Sequence, residues 1–472
     1  MPLPVITVAQ MRDWEKATWA SGQTEAEVIR LVGQEIARHA LRLTQPQDRL
    51  LVLAGKGNNG ADARAAHPHL VDRRVDALDV KDLAADLSKL DALLSLRPAL
   101  IVDGLFGIGL NRPLDASWVR FLSRINEAHL PILAIDVPSG LDADAGAAQG
   151  AAIEATVTLT VGAPKLGMLR QPAWPYVGRI EVASPVGLIL CPLTSDITWI
   201  TPTDFSAFPP RRAVATHKGT YGHVGILAGS LGYHGAAVLA ARAAARAQPG
   251  LVTLHTMENV YLAVASQLQA PMVAPWTPQT DLAPYTALLI GPGLASRDVP
   301  DSLKDRVRGL WKNSDKPLVV DASALDWLAA ERYPENAIRV LTPHPGEAAR
   351  LLQSKADEVQ ADRVAALRRL SRRFHNAWIV LKGHQTLIGR STGEISVNSS
   401  GNPHLAQGGS GDVLGGFIAG LLAQPPMQSD PSAVLRYAVW QHGAAADHLQ
   451  ATRRNWGVEE LVEVIGQAQA AD

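Results

Sequence analysis

The sequence holds a single cysteine, Cys191, in 472 residues. It allows no internal disulfide framework and no cysteine-built zinc cluster, which fits a reducing compartment. Excess charge of either sign is also missing: Lys+Arg 44 against Asp+Glu 45 gives a net charge of -1. A near-neutral chain has no basic footprint for nucleic acid and no electrostatic hold on a membrane, so the expected partner is a small molecule. No apolar run reaches the roughly eighteen residues that span a bilayer, and Met1 to Gln10 has no basic region ahead of an apolar one. The expectation is a cytoplasmic protein with neither a nucleic-acid nor a membrane partner.

What is present is length and alternation. The chain is too long for one ordinary domain. Short apolar runs alternate with alanine-rich helical segments through two halves, as parallel sheets covered by helices require, so the fold class is α/β. Between Pro192 and Thr216 the periodicity lapses among prolines and turn formers, which predicts domains at 1–205 and 206–472. The alanine-rich stretch His234 to Gln248 suits self-association as well as core packing, and a homo-oligomer is expected.

The densest chemical signal is GNPHLAQGGSGDVLGG, Gly401 to Gly416. From Val413 onward Leu414, Phe417, Ile418, Leu421 and Leu422 recur at helical spacing, which predicts a buried helix beginning near Asp412. The unpaired amides of such a start, with Gly409, Ser410 and Gly411 free in conformation, bind an oxyanion, and Asp412 then stands beside it. A helix cap alone is the competing role for Asp412, but a cap needs no such run of glycines.

Strand ends converge in both halves. In the first, Leu50 to Leu53 runs into GKGNNGAD, Leu100 to Val102 into Asp103, and Ile132 to Ile135 into Asp136. In open parallel sheets, ligands bind at such carboxyl ends. The loop departs from the dinucleotide fingerprint, and Asn-Asn-Gly is its unusual part. Neutral oxygens of Asn59 and Ser139 with the carboxylate of Asp103 suit a weakly held hard cation better than zinc or copper. In the second half five strands end at Gly229-Ser230, Gly291-Pro292-Gly293, Asp321, Thr342 to Glu347, and Lys382 to Thr386. His344 lies between two prolines ahead of a helix expected near Glu347, where it can meet a polar ligand. Lys382, between an apolar strand and Gly383, suits phosphate.

Taken together, GKGNNGAD, VDGLFGIGLNR, IDVPSG, KGTYGHVGILAGS, GPGLA, TPHPGE, LKGHQT and GNPHLAQGGSGD resemble the bifunctional NAD(P)H-hydrate repair enzymes over nearly the whole chain. The resemblance implies a Rossmann-like α/β/α sandwich with epimerase activity, followed by a ribokinase-like α/β domain that is an ADP-dependent dehydratase. For the epimerase it implies hydrate binding by Asn58, Asn59, Gly60, Ala61 and Asp62, by Gly107, Ile108, Gly109, Leu110, Asn111, Arg112 and Pro113, and by Asp136. Asp136 is also the candidate for proton transfer. The same resemblance places a potassium ion on Asn59, Asp103 and Ser139.

For the dehydratase it implies hydrate binding by Ala236, Gly293, His344 and Asp412. Nucleotide binding falls to Lys382, Gly383, His384, Gln385, Thr386 and Gly411, and Asp412 is the base. Implied small molecules are the NADH and NADPH hydrates, ADP as co-substrate, K+ and Mg2+. Ala61 and Ala63 stand where the family has glycines, adding methyls where backbone is expected to meet ligand. A small-molecule kinase with a non-catalytic amino-terminal binding module is the rival reading. A kinase would leave a stable phosphorylated product.

Overall fold

The computed structural model describes residues 3–468 and divides them into two compact units, Leu3–Ser195 and Asp196 onward. The division falls inside the Pro192 to Thr216 stretch but ahead of the expected 205/206 boundary. The reason is Ile197–Trp199 (β7), a strand that already pairs with Ile395–Val397 (β16) in the second unit. Met1 and Asp472, the expected outer limits, lie outside the described residues.

In the first unit, β1 (Arg49–Ala54), β2 (Arg74–Asp79), β3 (Leu100–Gly104), β4 (Ile132–Ile135), β5 (Val157–Val161) and β6 (Arg179–Ala183) form one parallel sheet in the order β2-β1-β3-β4-β5-β6. Both faces are covered. Leu50, Val52 and Ala54 pack with Val32, Ile36 and Ala63, from helices α2 (Glu25–Arg42) and α3 (Asn58–Ala66). Leu51 and Leu53 pack on the opposite side with Leu90, Leu94, Phe121 and Ile125, from α4 (Leu83–Ser95) and α5 (Ala116–Asn126). Adjacent residues of one strand thus belong to different cores, which is why the run is continuously apolar. A further helix, α1 (Val8–Ala20), precedes these and carries Glu15.

The second unit is built on β8 (His223–Leu227), β9 (Leu251–Thr256), β10 (Met272–Pro275), β11 (Ala287–Ile290), β12 (Leu318–Val320), β13 (Arg339–Leu341), β14 (Trp378–Leu381) and β15 (Leu387–Gly389), besides β7 and β16. Their order is β7-β16-β15-β14-β13-β12-β11-β8-β9-β10. From β14 to β10 the pairing is parallel, whereas β15 runs antiparallel to both β14 and β16. Alternation of strands and helices predicted a parallel sheet throughout. The exception arises because Lys382 to Thr386 is too short for a crossover and closes a hairpin instead.

Helix α6 (His234–Arg246) and helix α10 (Ser410–Leu422) pack backbone to backbone, helices α7 (Asp301–Asn313), α8 (Pro345–Leu352) and α9 (Arg363–Arg373) lying between them in sequence. A Cβ added at Gly416 would lie 2.2 Å from the Ala240 carbonyl oxygen. The buried face of α6, Ala237, Val238, Ala240, Ala241 and Ala244, is therefore occupied within its own unit. No helix among the described residues is long and apolar enough to cross a membrane.

Candidate active sites

The carboxyl ends of β1, β3 and β4 open into a cleft of about 1120 Å³. Asn58, Asn59, Asp62, Gly107 to Arg112 and Asp136 line it, as the sequence led one to expect, while Gly60, Ala61 and Pro113 stand off its wall. Gly60 has a different task. A Cβ there would lie 2.0 Å from the Gly55 carbonyl oxygen, so only glycine lets the loop close on itself at the start of α3. Gly60→Ala is expected to cost about 3 kcal/mol or more in the first unit, read as an earlier urea transition with dehydratase activity retained. Ala63 does not meet ligand either: it is fully buried in the sheet core, against Gly104. Its methyl is core packing.

Asp136 ends β4 with φ 64° and divides its two oxygens sharply. Oδ1 accepts from Lys165 Nζ at 2.5 Å, from the Val161 amide at 3.1 Å and from Thr160 Oγ1 at 3.4 Å. Oδ2 takes no hydrogen bond among the described residues. Lys165 is completely buried and gives its remaining protons to Thr160 Oγ1 and the Val161 carbonyl. Sequence reasoning missed this lysine. Its one signal was a position in the turn Gly162-Ala163-Pro164-Lys165 after the β-branched strand Val157–Val161. Glu15 and Arg12 of α1 also line the cleft, and nothing in the sequence set them apart.

The expected cation ligands do come together. Asp103 is fully buried, and burial pushes its carboxyl up to about 6 against the bonds it accepts from Ser139 and Leu105. Ser139 Oγ accepts from the Phe106 amide, and Asn59 Nδ2 donates to the Phe106 and Ile135 carbonyls. That leaves Asn59 Oδ1 without a donor among the described residues. One buried carboxylate among amide, hydroxyl and carbonyl oxygens matches a weakly charged hard cation. No cluster of three or more His, Cys, Asp or Glu that could hold a metal occurs among the described residues.

In the second unit, parallel strands bring the loops after β8, β11, β12, β13 and β14 to one edge. Ser230 Oγ donates to the Gly293 carbonyl at 2.6 Å, and a Cβ on Gly293 would lie 3.0 Å from that of Ala236, so these two substrate candidates adjoin. His344 caps α8: its Nδ1 accepts from the Gly346 and Glu347 amides, which leaves the ring proton on Nε2. The ring is half exposed, and its Nε2 faces Glu347 Oε1 at 3.5 Å at the rim of the site.

Lys382 Nζ is paired with Asp321 Oδ1 at 2.8 Å, Asp321 being almost fully buried. Burial pulls the lysine pKa down, yet Asp321, Glu347 and Asp412 outweigh it and leave the group raised. Asp321 was legible as a strand end but not as the partner of Lys382. The β14–β15 turn itself is clamped by Arg363 of α9, whose Nη2 donates to the Leu381 and Lys382 carbonyls. On that turn His384 is exposed, and Gly383 and Gln385 have positive φ.

Helix α10 begins at Ser410, two residues ahead of the predicted start, because Gly409 at φ 97° serves as its cap. Asp412 therefore sits within the first turn and caps nothing: it makes no hydrogen bond among the described residues. Burial first, then Asp321 and Glu347, push its carboxyl up to about 7 against the opposing pull of Lys382. Gly411 lies directly over the ion pair, its added Cβ only 3.1 Å from Lys382 Nζ. His442, buried, donates to the Ser410 carbonyl at 3.0 Å and holds the loop from behind.

A partnerless, buried carboxyl beside a lysine and a helix amino end is the arrangement of a phosphoryl-handling enzyme, here joined to a second α/β unit with a cleft of its own. A family model described as NAD(P)H-hydrate dehydratase matches residues 224–465, and one described as YjeF-related protein N-terminus matches residues 76–167. The bifunctional NAD(P)H-hydrate repair enzyme of Coxiella burnetii is 34% identical over 464 residues, covering 93% of each chain. That of Moorella thermoacetica is 35% identical over 447 residues, covering 84% of this chain and 83% of the relative. Among solved structures, the ADP/ATP-dependent NAD(P)H-hydrate dehydratase from Bacillus subtilis, co-crystallised with ATP/Mg2+, is similar at TM-score 0.51 and 33% identity, covering 57% of this chain and 95% of that one. The chain belongs to the family of bifunctional NAD(P)H-hydrate repair enzymes.

Proposed function

We propose that the first unit interconverts the (R) and (S) hydrates of NADH and NADPH, and that the second dehydrates the (S) form at the expense of ADP, in the cytoplasm. The observation that carries the second activity is Asp412, a carboxyl without partners whose pKa of about 7 suits a general base. It accepts the proton of the C6 hydroxyl while that oxygen attacks the terminal phosphorus of ADP, releasing AMP. The ring nitrogen then expels phosphate from C6, and loss of a C5 proton restores the dihydropyridine. Lys382, fixed by Asp321, and the amides at Ser410 to Asp412 hold the phosphates. The hydrate lies over Ala236, Gly293 and His344, and the turn Lys382 to Thr386 with Gly411 takes the nucleotide.

Three carboxyls, Asp321, Glu347 and Asp412, face one lysine here, a negative excess that fits a Mg2+ brought in on the nucleotide; with Asp321 bonded to Lys382 and Asp412 serving as base, Glu347 is the carboxyl that would meet the ion. The chemistry such an ion would supply is neutralisation of charge on the transferred phosphate. In the first unit Asn59, Asp103 and Ser139 would hold K+, which would tie together the loops after β1, β3 and β4. Asp136 takes part in proton transfer as the C6 oxygen leaves and returns.

The test is to incubate the protein with (S)-NADH hydrate, Mg2+, K+ and either ADP or ATP, following dihydronicotinamide absorbance and phosphate. Equal NADH and phosphate is the expected result, with (R) hydrate added later consumed faster than it converts unaided. A stable phosphorylated product would sink the dehydratase reading and favour a kinase.

A further inference from the structure

One carboxyl of the first cleft stands apart from the chemistry assigned to Asp136. Asp62 is 8% exposed, lines the cleft, and makes no hydrogen bond or ion pair among the described residues. Its neighbours are unfavourable to a charge: Glu15 from α1, Glu25 at the start of α2, and Asp136 across the cleft. Glu25 is held in place by Asn58 Nδ2 at 2.7 Å. The cations of this corner act elsewhere, since Lys165 is bonded to Asp136, while Arg12 and Lys165 offset the charge of Glu15. Asp136 shows the opposite treatment, three donors converging on Oδ1.

We propose that Asp62 is the general acid of epimerisation, working across the cleft from Asp136. This rests on the epimerase reading above. Burial, followed by Asp136, Glu15 and Glu25, pushes the Asp62 carboxyl up to about 8, so it carries its proton at neutral pH. That proton passes to the C6 hydroxyl as the carbon–oxygen bond breaks. The bonding pair leaves with oxygen as water, and the nitrogen lone pair forms the carbon–nitrogen double bond of an iminium ion. Asp136 faces that new positive charge with a carboxylate. When water adds to the other face, its oxygen bonds to C6, the double-bond pair returns to nitrogen, and the surplus proton goes to the free Oδ2 of Asp136. Proton exchange with solvent in the cleft restores the pair.

Two arms test this, after wild-type epimerisation of the (R) hydrate has been measured. Asp62→Asn is expected to lower epimerase kcat by about a hundredfold or more, with KM nearly unchanged and dehydratase activity intact. The wild-type kcat/KM profile is expected to fall on the alkaline side near pH 8, and Glu15→Gln to move that limb to lower pH by removing a charge that holds the proton on. An infrared difference spectrum between wild type and D62N at pH 7 should lack one protonated-carboxyl band in the variant. Retention of activity within threefold in D62N overturns the acid role alone. So does an inactive D62N paired with a wild-type profile that has no alkaline limb, since that pattern belongs to a structural residue. A wild type that fails to epimerise overturns the epimerase reading and the acid with it.

Discussion

Asp412→Asn is expected to reduce the dehydratase rate by about a hundred to ten-thousandfold while leaving epimerisation of the (R) hydrate untouched. The amide keeps the shape of the carboxyl but cannot take a proton. Because burial and two neighbouring carboxyls bring the group up to about 7, the base form is lost as pH falls. Wild-type kcat/KM should therefore decline below pH 7, approaching tenfold per unit, and the residual rate of D412N should lack that limb. Stability should move the other way. A carboxyl whose folded pKa is raised loses stabilisation as pH climbs from its ordinary range through 7, so at pH 8 the ionised group burdens the fold. D412N should then melt no lower than wild type, and a large drop in Tm with the activity would show that Asp412 is structural.

Lys382→Met has the second large effect, and it strikes both stability and nucleotide binding. The Asp321 carboxylate, 2% exposed, would be left without its ammonium. Breaking such a pair from one side costs about 3 to 5 kcal/mol, which in a unit of this size lowers Tm by roughly 10 °C. Nucleotide affinity should fall as well, since the lysine stands under Gly411 at the start of α10. Adding Asp321→Asn separates the two losses. The double variant is expected to regain most of the stability and none of the affinity, measured by thermal unfolding and by calorimetric titration with ADP. Recovery of affinity in the double variant would show that Lys382 never touched the nucleotide.

The parts of both sites that lie on the chain's own punctuation were legible without a structure. Runs such as Leu318–Val320 and Ala287–Ile290 are fully apolar because both faces of a central strand are covered, so their ends, and Asp321 or Gly291 just beyond, could be read directly. Asp412 was legible because the glycine-rich loop Gly408 to Gly411 runs straight into a helical apolar period that starts at Val413. What stayed hidden depends on who lies opposite. Lys165 reads as any turn lysine until the fold buries it against Asp136, and Glu15 reads as the polar face of a helix. The reverse error befell Ala63, whose neighbour Asp62 lines the cleft while its own methyl is packed in the sheet core. The antiparallel pair was missed because Leu387–Gly389 and Ile395–Val397 are three residues each, too short to show a period.

The turn from Lys382 to Thr386 has a consequence of its own, because it joins two antiparallel strands in fixed register, Leu381 opposite Leu387 and Ile379 opposite Gly389. Side chains alternate faces along such a ribbon, so one inserted or deleted residue would turn Leu387 and Gly389 from one side of the sheet to the other. A loop joined to a helix can grow without disturbing the helix beyond it. This one cannot, and the turn is free to change by substitution but closed to change by length.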